Sequence, residues 1–189
     1  MCVLTFLWTN AKMIPVINRI RYVGGAMLLL IKKMRDIRFS QLMEVYEEGN
    51  RENGADLYPQ ETPERQLALA EADFYDYLSQ VFFPTPGAVY ALWEAEGKYV
   101  SALRLEPYRD GLLVAALETS SNQRRKGYAS QLLAAVQVRY SGKKLYSHVG
   151  KGNAASLATH QKCGFRRVLE YAVYIDGSVN SRCCTLLYE

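Results

Sequence analysis

From Met27 onward, apolar and polar positions fall into short stretches of assignable period. Residues 28–32 form a brief apolar run, the length of a buried strand. Phe39, Leu42, Met43 and Tyr46 then recur at helical spacing, with Asp36 as an N-cap. The polar stretch 49–61 reads as a loop. Thr62-Pro63-Glu64 supplies a cap, a first-turn proline and a first-turn acid. Leu67, Phe74 and Val81, with Ala70, Tyr77 and Leu78 beside them, predict a second amphipathic helix to Phe82, ended by Pro84 and Pro86.

The next segments, "AVYALWEAE", "YVSALRLE" and "LLVAALET", are separated by Gly97-Lys98 and Asp110-Gly111. They predict a meander of three strands. A third helix follows, with Leu132, Leu133, Val136 and Tyr140 as one stripe. "KKLYSHV" reads as a strand, and "NAASLATHQK" as a short helix capped by Asn153 and stopped at Cys163-Gly164. "FRRVLEYAVYI" and "RCCTLLYE" close the chain as a hairpin around Asp176-Gly177.

The order β-α-α-β-β-β-α-β-α-β-β contains a strand–helix–strand unit at 112–148, which demands a parallel pair within a sheet otherwise built of hairpins. The fold class is therefore α/β (α+β): a mixed twisted sheet of about seven strands flanked by about four helices. Residues 27–189 form one domain. Residues 1–26 read differently, as an extension upstream of a domain that begins at Met27. They carry no charge before Lys12, which makes a poor secretory signal. Their apolar runs are broken by Asn10, Lys12, Pro15 and Asn18, so none approaches the about 20 residues of a membrane span.

Composition adds exclusions. A net charge of +4 over 189 residues is compatible with an anionic ligand and too weak to argue for nucleic acid. Cys2, Cys163, Cys183 and Cys184 match no zinc spacing. Free thiols in a reducing cytoplasm are the ordinary reading of such a set. His148 and His160 are too few for a histidine cage, so no metal is expected.

Candidate chemistry concentrates at "QRRKGYA", residues 123–129, between an apolar strand and a helix. A helix N-terminus presents free N–H groups and a partial positive charge to an anion. Gly127 lets a bulky anion approach the backbone, and Ala129 keeps the next turn small. Arg124, Arg125 and Lys126 add charge. The stretch lacks the Gly-Lys-Ser/Thr ending of a nucleoside-triphosphate loop and the three glycines of a dinucleotide fingerprint. Taken alone it is equally a solvated basic turn.

The segment "NAASLATHQKCGF", 153–165, changes the weighing. Arg124, Gly127 and Ala129, followed by Asn153, Ser156, His160, Gly164 and Phe165, resemble the two motifs of the GNAT acetyltransferase superfamily in order and spacing. The resemblance covers all but residues 1–26. It implies acetyl-CoA as co-substrate, its pyrophosphate cradled by backbone amides from Arg125 through Lys126, Gly127, Tyr128 and Ala129 to Ser130. It implies that the strand before the loop splays from its parallel neighbour, so that the backbone of Leu117 and Thr119 pairs with the pantetheine arm. Asn153 and Ser156 would line the far side. His160 stands where the family most often has a tyrosine, thought to give a proton to the departing thiolate.

Glu118 alternates to the other side of the strand from Leu117 and Thr119, where a carboxylate could take the proton of an attacking amine. Tyr46 and Glu48, with Glu47 and Asn50, end the first helix, where this family usually builds its acceptor site. Arg104 and His148 are further substrate-side candidates, with Glu106 and Tyr108. Each has a plain alternative as a solvated or ion-paired group. The reading is a cytoplasmic N-acetyltransferase acting on a small-molecule or peptide amine, as monomer or homodimer. It works without nucleic acid or membrane, by direct attack of a primary amine on the thioester. The alternative is a CoA-binding sensor or interaction module that keeps the cradle and has no working base or acid.

Overall fold

The computed structural model describes residues 18–22 and 25–189. The strands are β1 (Asn18–Arg21), β2 (Met27–Ile31), β3 (Val89–Ala95), β4 (Lys98–Tyr108), β5 (Gly111–Thr119), β6 (Lys144–Gly150) and β7 (Arg166–Leu169). After them come β8 (Ala172–Val173), β9 (Val179–Asn180) and β10 (Cys183–Tyr188). Eight of them form one sheet in the order β1-β2-β3-β4-β5-β6-β10-β7, and β8 and β9 pair as a small separate hairpin. Among the described ladders only β5–β6 is parallel, because the helix that joins them carries the chain back across the sheet. The mixed sheet is the one expected, with an added strand at the β1 edge.

Helices α1 (Phe39–Leu57) and α2 (Pro63–Tyr77) cover one face; α3 (Tyr128–Arg139) and α4 (Ala154–Lys162) lie on the other. Alternation along the strands divides the apolar side chains between them. Leu29, Ile31, Tyr90 and Leu92 pack with Leu42, Met43 and Phe82. Leu28, Leu30, Ala91 and Trp93 pack with Leu132, Leu133 and Val136. Strands buried on both faces therefore read as unbroken apolar runs.

Three local readings change. The predicted loop at 49–61 is helical as far as Leu57. Gly54 lies where α1 and α2 cross so closely that a Cβ would sit 2.5 Å from the Gln66 carbonyl oxygen. Asn50 is buried, with its Nδ2 3.4 Å from the Met43 Sδ. Helix packing thus recruits residues whose local preference is for turns. Asp36 caps no α-helix; it ends a short 3₁₀ turn, Met34–Asp36, and Arg38 holds the N-cap position of α1. Val81, expected in the core, is 53 % exposed. The turn Leu78–Phe82 is π-helical, and its wider winding sends Leu78 and Phe82 inward and Val81 out.

Thr62 caps α2 as expected, its hydroxyl accepting from the Arg65 N–H at 3.4 Å. β1 pairs with β2 from Asn18↔Leu30 to Arg21↔Met27. The Tyr22 ring lies 4.9 Å from that of Trp93. Met27 opens the second strand of this pair; residues 1–17, 23 and 24 lie outside the described residues.

Candidate active site

The site begins where the two parallel strands part. β5 and β6 pair only from Gly111↔Lys144 to Val114↔Ser147. At the closed end, a Cβ on Gly111 would lie 2.1 Å from the Lys144 carbonyl oxygen, so glycine permits the tight approach. Beyond Val114, β5 turns away through a bulge. The β4–β5 register shifts between Ala102 and Arg104, and Ala116 has a positive φ of 50°. An extra residue in one strand bends it and sharpens its twist. Tyr46 of α1 fastens the bulge, its hydroxyl donating to the Ala116 carbonyl at 2.6 Å. Burial pushes the Tyr46 hydroxyl well above its ordinary pKa, so it stays a donor.

The open end is formed by Leu117, Glu118 and Thr119. The Ser120 N–H bonds to the Val100 carbonyl on β4 at 3.1 Å. Alternation then turns the N–H and C=O of Thr119 away from β4, toward β6. Ser101 props this end from beneath: its hydroxyl donates to the Glu118 carbonyl at 2.6 Å and accepts from the Thr119 hydroxyl at 3.0 Å. Sequence reasoning passed over Ser101, although a buried serine inside an apolar strand is a usable signal. The bulge had none, because Ala116 sits in an uninterrupted apolar run.

The strand then enters the loop that leads to α3. Arg125 and Gly127 both take left-handed conformations, at φ 64° and 81°. The first intrahelical bond is Gln131 N–H to Gly127 C=O at 3.0 Å. Among the described residues, none of the amides from Arg125 to Ser130 has a protein acceptor. Such a run of free N–H groups beside left-handed residues is the arrangement that suits an anion. A Cβ at Gly127 would meet only the Gln131 side-chain nitrogen, at 3.6 Å, so glycine serves the backbone conformation.

These parts enclose a cleft of about 630 Å³. Leu117, Glu118 and Thr119 line it from β5, and Arg124, Arg125 and Gly127 from the loop. Tyr128, Ala129 and Ser130 line it from the first turn of α3. Asn153 and Ser156 face it from α4, where the Asn153 side chain caps the helix by accepting from the Ser156 N–H at 2.9 Å. Glu48 faces it from α1, beside Gly49 and Glu52, which sequence reasoning did not single out.

Five predicted residues stand elsewhere. Lys126 turns outward, its ammonium donating to the Gln123 side chain at 2.8 Å. Tyr46 is buried behind the bulge. Arg104 lies over the Tyr77 ring, 4.7 Å from its centroid, with Nε 3.9 Å from the Glu106 carboxylate. His148 sits between the rings of Tyr108 and Tyr174, each 5.4 Å away. His160 is 1 % exposed and packs edge-on against Phe165 at 5.0 Å.

The His160 contacts define its state. Its Nδ1 lies 2.8 Å from the Ser156 carbonyl oxygen, which requires a proton on that nitrogen. Burial pulls its pKa down, more than the Ser156 bond raises it. The ring is thus neutral near pH 7 with its donor already engaged. The contact holds the ring against the first turn of α4.

A stability prediction follows with a definite sign. The unfolded chain takes up a proton on His160 below about pH 6.5, while the folded chain resists it, so stability falls as pH drops through that window. His148 adds to the effect, its pKa lowered by burial and then by Arg109. The urea midpoint is expected to decline between about pH 7.5 and about pH 5.5, and less steeply in His160→Phe. A flat wild-type profile would contradict the assignment. If His160 supplied the thiolate proton, the same variant would also lose turnover.

An open mixed sheet that parts at its parallel pair, beside a glycine-capped helix N-terminus, is the architecture that the family resemblance implied. Residues 41–165 match the family model described as acetyltransferase (GNAT) family, and the chain belongs to that family. By family it is an acetyltransferase. No curated protein matches the chain in sequence.

Solved structures of the same fold include an N-acetyltransferase from Staphylococcus aureus Mu50, at 14% identity and a TM-score of 0.59, covering 84% of this chain and 99% of that one. The PaiA N-acetyltransferase from Thermoplasma acidophilum, in complex with coenzyme A, is 13% identical with a TM-score of 0.55, covering 86% of this chain and 98% of that one. The IAA acetyltransferase from Bacillus cereus ATCC 14579 is 18% identical with a TM-score of 0.54, covering 87% of this chain and 99% of that one. At such identities the likeness is one of fold. Among the described residues, no helix is long and apolar enough to cross a membrane. Nor do any three His, Cys, Asp or Glu among them gather to hold a metal ion.

Proposed function

We propose that the protein transfers an acetyl group from acetyl-CoA to a primary amine by direct attack. The observation that carries this reading is the run of partnerless amides from Arg125 to Ser130 at the mouth of a cleft where β5 leaves β6. The amides would hold the pyrophosphate. The edge at Leu117 and Thr119, paired with no strand on the β6 side, would pair with the amides of the pantetheine arm, as an added strand does. The thioester supplies an activated acetyl group; the rest is positioning and proton transfer.

Glu118 and, from α1, Glu48 line the same cleft. An ammonium cannot attack, so a base must take its proton first. Glu118 is the cleft carboxylate on the pairing strand itself, and we assign it that part, directly or through water. A strand amide at the bend, near Thr119, would steady the charge that develops on the carbonyl oxygen. A CoA-bound module without turnover would share the cradle and lack this base.

The experiment is thiol release from acetyl-CoA against a panel of primary amines, beside calorimetric titration with CoA. Binding together with release for at least one amine supports the proposal. Binding without release for any amine supports the module instead, and absence of binding removes both.

A further inference from the structure

The side chains at the mouth of the cleft also close it. Both cleft-facing backbone groups of Thr119 are already taken by neighbouring side chains. Its N–H donates to the Glu118 carboxylate at 3.3 Å, and its C=O accepts from the Arg124 Nε at 3.3 Å. Arg124 is held there from both sides, its Nη2 donating to Glu118 at 3.0 Å and to Glu48 on α1. The arginine thus ties α1 to the free edge of β5.

We infer that Glu48, Arg124 and Glu118 form a latch that occupies the pairing edge at Thr119 and must be displaced when an amide-bearing ligand arm pairs with that edge. The inference rests on the reading of this cleft as the CoA site. Glu48 is a positioning residue: it acts through Arg124. The latch has a consequence for the order of events. While it is closed, the Glu118 carboxylate is engaged by a guanidinium and a backbone N–H and not by a substrate amine. Seating the pantetheine arm takes over the Thr119 groups and releases Glu118 toward the amine. The side chains of Arg124, Glu48 and Glu118 are 43%, 51% and 32% exposed. Contacts so open to water are individually weak, so the latch yields to a ligand rather than excluding it.

The test compares two ligands. CoA carries the pantetheine arm; adenosine 3′-phosphate 5′-diphosphate carries the diphosphate without it. Glu48→Ala removes one arm of the clamp at a half-exposed helix position where alanine favours the helix. Calorimetry on wild type and variant is expected to show CoA binding tightened by about threefold relative to the nucleotide. Equal tightening of both ligands would be a general charge effect and would overturn the latch, as would no change in either. If wild type binds both ligands and the ratio is constant, only the latch falls. If wild type binds neither, the CoA reading falls with it.

Discussion

Gly127→Asp is expected to weaken CoA binding by about a hundredfold, close to 2.7 kcal/mol. Gly127 has φ 81°, and aspartate tolerates that left-handed conformation better than most residues. The nearest protein atom to a new Cβ is 3.6 Å away, an ordinary van der Waals contact, so the Cβ itself meets no clash. Its charge would then stand among the free amides meant for a phosphate. Two like charges about 4 Å apart repel by about 4 kcal/mol at an effective dielectric of about 20, and solvent at an open cleft reduces this by roughly half. Gly127→Asn is the control, because it has the same shape and the same backbone tolerance without the charge. It should lose about tenfold or less. Equal losses in the two variants, measured by calorimetry, would show that the cradle acts by shape and not by charge.

Glu118→Gln is expected to lower turnover by about a hundredfold or more, the usual contribution of a positioned base. Its affinity for CoA should not weaken. In the free protein Glu118 binds Arg124 at 3.0 Å and the Thr119 N–H at 3.3 Å, so the neutral side chain loosens contacts that compete with the ligand. A fall in turnover with CoA affinity kept separates the base from a structural glutamate. Turnover within about threefold of wild type would remove Glu118 from the chemistry. The same assay against the amine panel would then direct attention to Glu48 and Glu52, the other carboxylates lining the cleft.

Much of the fold was legible because its signals are local. The cap at Thr62, the turn glycines and the stripe of Leu132, Leu133 and Val136 each depend on a few neighbouring residues. The helix at 49–57 was not legible. Its glycines and asparagine argue for a loop, and only the crossing with α2 at Gln66 gives them another use. Val81 misled for a related reason: a heptad assumes constant winding, and one π-helical turn breaks it.

The candidate site divides in the same way. Two segments 30 residues apart carried the family resemblance, and the residues of the first, Gln123 and Lys126 excepted, line the cleft with Asn153 and Ser156. In the proposed reading backbone amides hold the ligand, so Gly127 and the start of a helix suffice to announce the site. The sequence by itself determined the order of the helices and of the main strands from β2 onward, and it carried the family. Only the tertiary structure decided where β5 bends and that Tyr46 holds the bend through the Ala116 carbonyl. It also buried His160 against Phe165 and set Arg124 between two carboxylates from different elements. The physical reason is range. Periodicity and capping are settled within a few residues, whereas Arg124 and Glu48 meet across 76 positions of chain, brought together by a sheet and a helix that no local pattern specifies.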